Sequence, residues 1–380
     1  MFFYIGDDCP IKSLKQVEPR LFLDDGWNQV NGSWYKGYST DCVLADHIDD
    51  VITNDANRID GKWCVIHNGQ VYHPLLRGFP LYQKGDSKTN LKLSGYDIVT
   101  YECPSAPEFS DTISLTDAAK LIGDILVENT SNLYKYNKID DITVLVSAGL
   151  DTLTAWAVVD QVTKDYTVSI HVPSENDKTL RSFVGTERDY ESDLMDKVGE
   201  DYWGYYHACF YKQHNWNITG YYAETLTYRD GEAINAIANY HGKKIDQLAT
   251  EGDYLYWFLK RPNIVEKYRD SMLEFSNDAE LKRFLWSTIW YDHQMWHLDN
   301  NLMFSPFADI RIPCVIDCLT VSDIALNSVT GAIQRKIIER FKPELLSLLS
   351  NYKNEKDIWG NFRANFNESL VPENAKIIYR

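Results

Sequence analysis

Residues Ser147-Ala148-Gly149-Leu150-Asp151-Thr152 follow directly on the strand-prone run Ile142-Thr-Val-Leu-Val146. They lead into Leu153-Thr-Ala-Trp156-Ala-Val158-Val159, which reads as a helix. A buried strand that turns through small residues into a helix leaves backbone N–H groups unpaired at the helix N-terminus. That is a site for an anion, and phosphate is its usual occupant. The chemistry to consider is therefore that of a phosphate-bearing ligand.

Other charged residues also invite a reading. Ile333, Ile337, Ile338, Phe341 and Leu345 form an apolar stripe at helical spacing. Lys336 and Arg340 stand four apart on that helix. Like charges so placed cost about 0.2–0.5 kcal/mol unless an anion sits near them. They are either two solvated cations or a clamp for phosphates. Glu251, taken alone, reads as a solvated loop carboxylate. His293 and His297 also stand four apart, near Asp292 and Asp299, but no third ligand is specified. A packed or hydrogen-bonded role is expected for them.

The elements that must hold these residues fall into two parts. Up to about residue 105 the chain reads as β-rich, with segments such as Lys62–Ile66, Gln70–Tyr72 and Tyr96–Tyr101 between Gly, Asn and Asp turns. Residues 102–114 carry two prolines and several small polar residues, the composition of a linker. Ser114-Leu-Thr-Asp117 then reads as a helix start, a relative of the capping box, before apolar residues at helical spacing. A second strand is expected at Tyr166–Val172, helix around 189–199 and strand at Gly204–Tyr211. Strands alternating with helices imply a parallel sheet. From about 230 onward the chain reads as mostly helical. The fold class is thus α/β, with a boundary between residues 1–108 and 109–380.

Composition narrows the function. The chain has 380 residues, 44% of them hydrophobic, enough for a sizeable core. Its net charge of −17 opposes non-specific binding of nucleic acid. The seven cysteines are scattered without a CxxC pair and read as reduced, mostly buried thiols. No apolar run approaches the roughly 20 residues of a membrane span. The first residues lack the basic region of a signal peptide, so a cytoplasmic location without membrane contact is expected.

Ser147–Thr152 resembles the SGGxDS loop of the PP-loop ATP pyrophosphatase superfamily, and other segments follow in the order found in asparagine synthetase-like enzymes. Gly61-Lys-Trp-Cys-Val-Ile-His-Asn-Gly-Gln70 with Leu76-Arg77-Gly-Phe-Pro80-Leu81-Tyr82 resembles a stretch of that family's N-terminal glutaminase domain. Ala249-Thr250-Glu251-Gly252-Asp253 resembles its second ATP-site loop, Asn300–Ile312 its E-x-R-x-P-F-L-D segment, and Lys336 to Arg340 its K-x-x-x-R helix. The resemblance implies an N-terminal β-rich Ntn-glutaminase-like domain and a C-terminal PP-loop synthetase domain with a helical extension.

It also implies roles. ATP would bind at Ser147, Ala148, Gly149, Leu150, Asp151, Thr152 and Gly252. Mg²⁺ would sit between the phosphates and Asp151 and Asp253. Lys336 and Arg340 would stabilise charge on the transferring phosphate, and Glu251 would act as base on the attacking amine.

The departures are informative. Ala148 replaces a glycine, and the second loop is short, with Tyr254 directly after Asp253. Position 2 is Phe2, where the family's glutaminase carries its cysteine nucleophile. A degenerate glutaminase is shared with β-lactam synthetases and lasso-peptide cyclases. The expected function is an AMP-forming amide ligase joining a small-molecule or peptide carboxylate to an amine or ammonia, without glutaminase activity. The alternatives are another PP-loop enzyme adenylating a nucleobase or tRNA carbonyl, and a pseudo-enzyme that binds nucleotide without turnover.

Overall fold

A computed structural model of the chain describes residues 2–53, 59–76, 79, 81–91, 93–99, 104–106, 112–139, 141–146, 149–170, 216–229, 231–240, 275–292, 302–349, 368–373 and 375–379. The molecule is mixed α/β, with two antiparallel sheets and one parallel sheet.

Ten short strands build the first part. They are β1 (Phe3–Ile5), β2 (Lys15–Glu18), β3 (Leu21–Leu23), β4 (Asn28–Val30), β5 (Ser33–Ser39), β6 (Gly61–His67), β7 (Gln70–Tyr72), β8 (Tyr82–Lys84), β9 (Ser87–Thr89) and β10 (Asp97–Ile98). One sheet has the order β10-β8-β9-β1-β3-β2 and the other β4-β5-β6-β7. Strand alternation decides how they meet. Cys64 and Ile66 on one face of β6 pack with Phe3, Ile5, Leu21 and Leu23 of the larger sheet. Trp63 and Val65 on its other face pack under Ile48 and Val51 of α1 (Ile48–Thr53).

The second part begins with α2 (Leu115–Tyr136), whose Ser114 caps it by accepting the Asp117 N–H at 3.1 Å. Next come β11 (Ile142–Val146), α3 (Leu150–Val162) and β12 (Thr167–Ile170). After them come β13 (Trp216–Ile218), α4 (Ala223–Leu226), α5 (Gly231–Tyr240), α6 (Asp278–Asp292) and β14 (Leu302–Phe304). Finally come α7 (Arg311–Asp317), α8 (Val321–Thr330), α9 (Ala332–Phe341) and β15 (Lys376–Tyr379). Beyond 230 the described residues are mostly helical, as expected, and two short strands, β14 and β15, complete the sheet. Both are too short to stand out beside the helices. The helix expected at 189–199, the strand at 204–211 and both His293 and His297 lie outside the described residues.

The parallel sheet has the order β14-β13-β11-β12-β15. All five residues of β11 are buried. From Leu153 to Asp160 every residue of α3 is also buried, as expected of a helix covered on all sides. The order reverses at β11: α3 carries the chain to β12 on one flank, while β13 pairs on the other. Open parallel sheets bind ligands in the crevice at the carboxyl ends of the strands where the order reverses. In this chain that crevice lies between the ends of β11 and β13.

Five cysteines fall among the described residues, all free. Only Cys64 is fully buried; Cys9, Cys42, Cys314 and Cys318 are partly exposed. Among the described residues no helix is long and apolar enough to cross a membrane.

Candidate functional site

The crevice opens where β11 gives way to α3. Gly149 is the N-cap of α3, with extended backbone and no side chain to fill the cap. First-turn N–H groups lack acceptors within their own helix, so this end of α3 favours an anion. Thr152 Oγ1 donates to Gly149 O at 3.0 Å, committing the hydroxyl proton to the turn itself.

Asp151, also in the first turn, is held from two directions. Arg229 Nη1 lies 2.5 Å from Asp151 Oδ1, with the arginine side chain only 8% exposed. Gln334 Nε2 approaches the same oxygen at 3.4 Å and donates to Thr227 Oγ1 at 3.1 Å. Asp151 Oδ2 has no hydrogen-bond partner among the described residues. The buried Arg229 Nε and Gln334 Oε1 make no hydrogen bond there either. A donor, an acceptor and a carboxylate oxygen are thus left over beside a helix N-terminus.

Arg229 owes its position to a tightly built turn. Tyr228 has φ +53°. Its hydroxyl donates to Asp317 Oδ1 at 2.9 Å, and its carbonyl accepts Ser328 Oγ at 2.5 Å. The Arg229 N–H donates to Glu224 O at 2.6 Å. Burial pushes the Asp317 carboxyl up to about 7, although the Tyr228 hydrogen bond opposes the rise.

Two glycines let neighbouring elements reach the first turn of α3. A Cβ on Gly220, just past β13, would lie 2.5 Å from the carbonyl carbon of Asp151. Gly331 joins α8 to α9 with φ +61°, and a Cβ there would lie 2.2 Å from Leu150 Cδ2.

Of the residues expected at the site, Gly149, Leu150, Asp151 and Thr152 stand together at the start of α3. Ser147, Ala148, Glu251, Gly252 and Asp253 lie outside the described residues. Lys336 and Arg340 are on α9 as expected, but neither pairs with Asp151. At roughly 100° per residue, Lys336 lies about 200° around α9 from Gln334, the residue that reaches Asp151. Arg340 points to α2, where it pairs with Asp124 at 2.7 Å and donates to Lys120 O at 3.2 Å. Lys336 is half-buried and forms no ion pair among the described residues.

Arg229, Gln334 and Gly220 were not singled out by sequence reasoning. A lone arginine or glutamine far along the chain carries no spacing signal. Within Asn300–Ile312, Arg311 forks onto the buried Asp309, with its Nε 3.1 and 3.0 Å from the two carboxylate oxygens. It also reaches Glu128 at 2.7 Å. Arg311 therefore ties α2 to the segment after β14.

A narrow cleft, with enclosed room for about one water, lies where the two parts of the chain meet. The β-rich part lines it with Tyr38, Thr40 and Lys62, and the α/β part with Tyr222, Phe304 and Ser305. Tyr38 anchors this contact: its hydroxyl donates to Met303 O at 2.8 Å, and its ring sits 5.0 Å from that of Trp216.

Phe2 is 2% exposed and packs among Tyr4, Ile11, Leu14, Leu91 and Leu93. Its N–H donates to Asp24 Oδ1 at 2.8 Å. Asp24 also accepts Trp27 Nε1 at 2.7 Å and Lys36 Nζ at 2.9 Å. Phe2 is thus part of an apolar core. No family model matches the chain, and no curated protein does.

Proposed function

We propose that the protein is an ATP-dependent, AMP-forming amide ligase without glutaminase activity. The observation that carries this reading is the strand–loop–helix of residues 142–162, placed where a parallel sheet reverses its order. A glycine caps the helix, and a buried arginine stands beside its first turn. The resemblance to asparagine synthetase-like enzymes supplies the reaction class.

The residues present fit a nucleotide. The open N-terminus of α3 suits the phosphates, and the spare N–H of Arg229 suits an anion. Mg²⁺, when bound, would be held by Asp151 through Oδ2 and by phosphate oxygens, and would draw charge from the phosphates. A substrate carboxylate oxygen attacks the α-phosphorus and pyrophosphate leaves. The amine then attacks the acyl carbon, AMP leaves, and Glu251 takes the proton released by nitrogen. Arg229, already beside the loop, neutralises charge on the transferring phosphate. Arg340, committed to α2, contributes through packing. The buried Phe2 supports an amine taken from solution or from the substrate itself.

One observation favours a second reading. Asp151 is closed by Arg229, which suits a protein that holds nucleotide without turning it over. Pyrophosphate exchange into ATP, screened over carboxylates, separates the two. Exchange that depends on a carboxylate and disappears in Asp151→Ala and Arg229→Ala supports the ligase. Tight ATP binding with no exchange across a broad screen supports the second reading.

A further inference from the structure

We propose that Tyr228 and Asp317 are positioning residues of the nucleotide site: the Tyr228 hydroxyl, anchored on the buried carboxyl of α7, holds Arg229 against the first turn of α3. What Arg229 meets there rests on the nucleotide reading; how Arg229 is held does not.

The segment from Gly220 to Arg229 closes on Asp151 from both ends. Gly220 presses on the Asp151 backbone, and Arg229 takes its carboxylate. Between them lies α4, with a left-handed tyrosine on each side of it, Tyr222 at φ +68° and Tyr228 at φ +53°. Glycine takes that backbone freely, whereas a tyrosine there persists only where its surroundings impose it. Residues held in this way cluster at sites whose geometry matters. Tyr228 directly precedes Arg229, so its backbone sets the direction in which the arginine leaves the turn.

Helices α6, α7 and α8 impose the Tyr228 conformation. From α8, Asn327 Nδ2 donates to Thr227 O at 3.0 Å and Ser328 Oγ to Tyr228 O at 2.5 Å, which fixes the main chain. From α7, Asp317 Oδ1 accepts the Tyr228 hydroxyl at 2.9 Å, which fixes the side chain. From α6, Lys282 Nζ donates to Asp317 O at 2.6 Å and to Leu319 O at 2.7 Å, which fixes the end of α7. Asp317 is 1% exposed, and its Oδ2 has no hydrogen-bond partner among the described residues. A buried carboxyl so placed serves packing worse than an apolar side chain would. Its contribution is the anchor it offers the tyrosine. A glycine at position 228 would take the turn without strain but would leave that anchor unused. Tyr228 is 0% exposed and touches no ligand, so its effect on a phosphate passes through Arg229.

Calorimetry of Mg·ATP binding to the full chain tests this. Tyr228→Phe keeps the ring and removes the hydroxyl, and it should weaken Mg·ATP by about fivefold or more, the scale of one hydrogen bond. Asp317→Leu should weaken it as much. Asp317→Asn, which still accepts from the hydroxyl, should stay within about twofold of the unaltered chain. In an Arg229→Gln chain, Tyr228→Phe should change the affinity by less than about twofold, because the residue it acts through is gone. A general loss of stability does not give that pattern. If Tyr228→Phe fails to fold, the two Asp317 variants decide. Unchanged affinity in Tyr228→Phe overturns the proposal, as does equal affinity in Asp317→Leu and Asp317→Asn, or the full loss from Tyr228→Phe in the Arg229→Gln chain. Urea unfolding adds a readout without nucleotide: the coupling between Arg229 and Asp151 should fall to less than about half in Tyr228→Phe, and an undiminished coupling overturns the proposal. An unaltered chain that binds no Mg·ATP overturns the nucleotide reading alone, and the coupling then decides the positioning. Binding that never leads to pyrophosphate exchange overturns the ligase reading alone.

Discussion

Arg229 and Asp151 stand 78 positions apart in the chain, and their side chains meet at 2.5 Å at the first turn of α3. The arginine comes from the turn after α4 and the aspartate from the first turn of α3, so the contact joins the segments that follow β13 and β11 on either side of the crevice. It balances a buried cation and holds the carboxylate in one orientation.

Arg229→Ala should leave that carboxylate without its cation. The expected loss of stability is about 3 kcal/mol, the lower end for a buried pair, because Asp151 keeps slight exposure. Asp151→Asn in the same chain should restore much of the loss. Urea unfolding of the two single variants and the double variant measures the coupling, and simple additivity would refute the pairing. Pyrophosphate exchange should fall further in Arg229→Ala than in Arg340→Ala.

Gly220→Ala should damage the site more than the fold. The added methyl meets the backbone of Asp151 and Thr152, which cannot turn aside as a side chain could. The start of α3 must shift, and a displacement of this kind weakens nucleotide affinity and exchange. We expect at least a tenfold loss of ATP affinity by calorimetry, with a far-ultraviolet circular dichroism spectrum like that of the unaltered chain. Unchanged affinity would place the nucleotide elsewhere.

Incubation with glutamine should release no glutamate. Phe2→Ala should cost about 3–5 kcal/mol, the range for deleting a buried aromatic ring. Glutamate release by the unaltered protein would overturn the reading of the β-rich part.

Asp317 predicts a pH dependence. Its folded-state pKa is pushed up to about 7 by burial, above the ordinary carboxylate range. Between about pH 4 and pH 7 the folded state therefore holds a proton that the unfolded state has released, so stability falls as pH rises through that window. Asp60 is likewise raised to about 7, by burial and by the negative charges of Asp309 and Asp41. From pH 5 to pH 8 the chain should lose on the order of 2 kcal/mol through Asp317. Asp317→Asn, neutral throughout, should lose less over the same range in denaturant titrations. An identical pH slope in both proteins would refute the assignment.

Local signals were legible in the sequence, and long-range ones were not. The Ser114 cap, β11, the start of α3 and the amphipathic α9 all follow from spacing and propensity within a few residues. The orientation of α9 does not. Its stripe shows which residues face the core, but which remaining face meets the loop depends on how α9 crosses α3 and α2. Hence Gln334, rather than Lys336, reaches Asp151. Arg229 carries no local signal. Its place beside Asp151 comes from the turn after α4, which no window of sequence around the loop contains.

The last described strand has a consequence for how the chain is made. β15 pairs with β12 along Thr167–Ile170. During synthesis β12 is complete long before Lys376–Tyr379 leave the ribosome. Until then one flank of β12 is an open row of backbone donors and acceptors, the kind of edge on which nascent chains stick to one another. Chains truncated before residue 376 should therefore accumulate in inclusion bodies even where every residue of the phosphate loop is present.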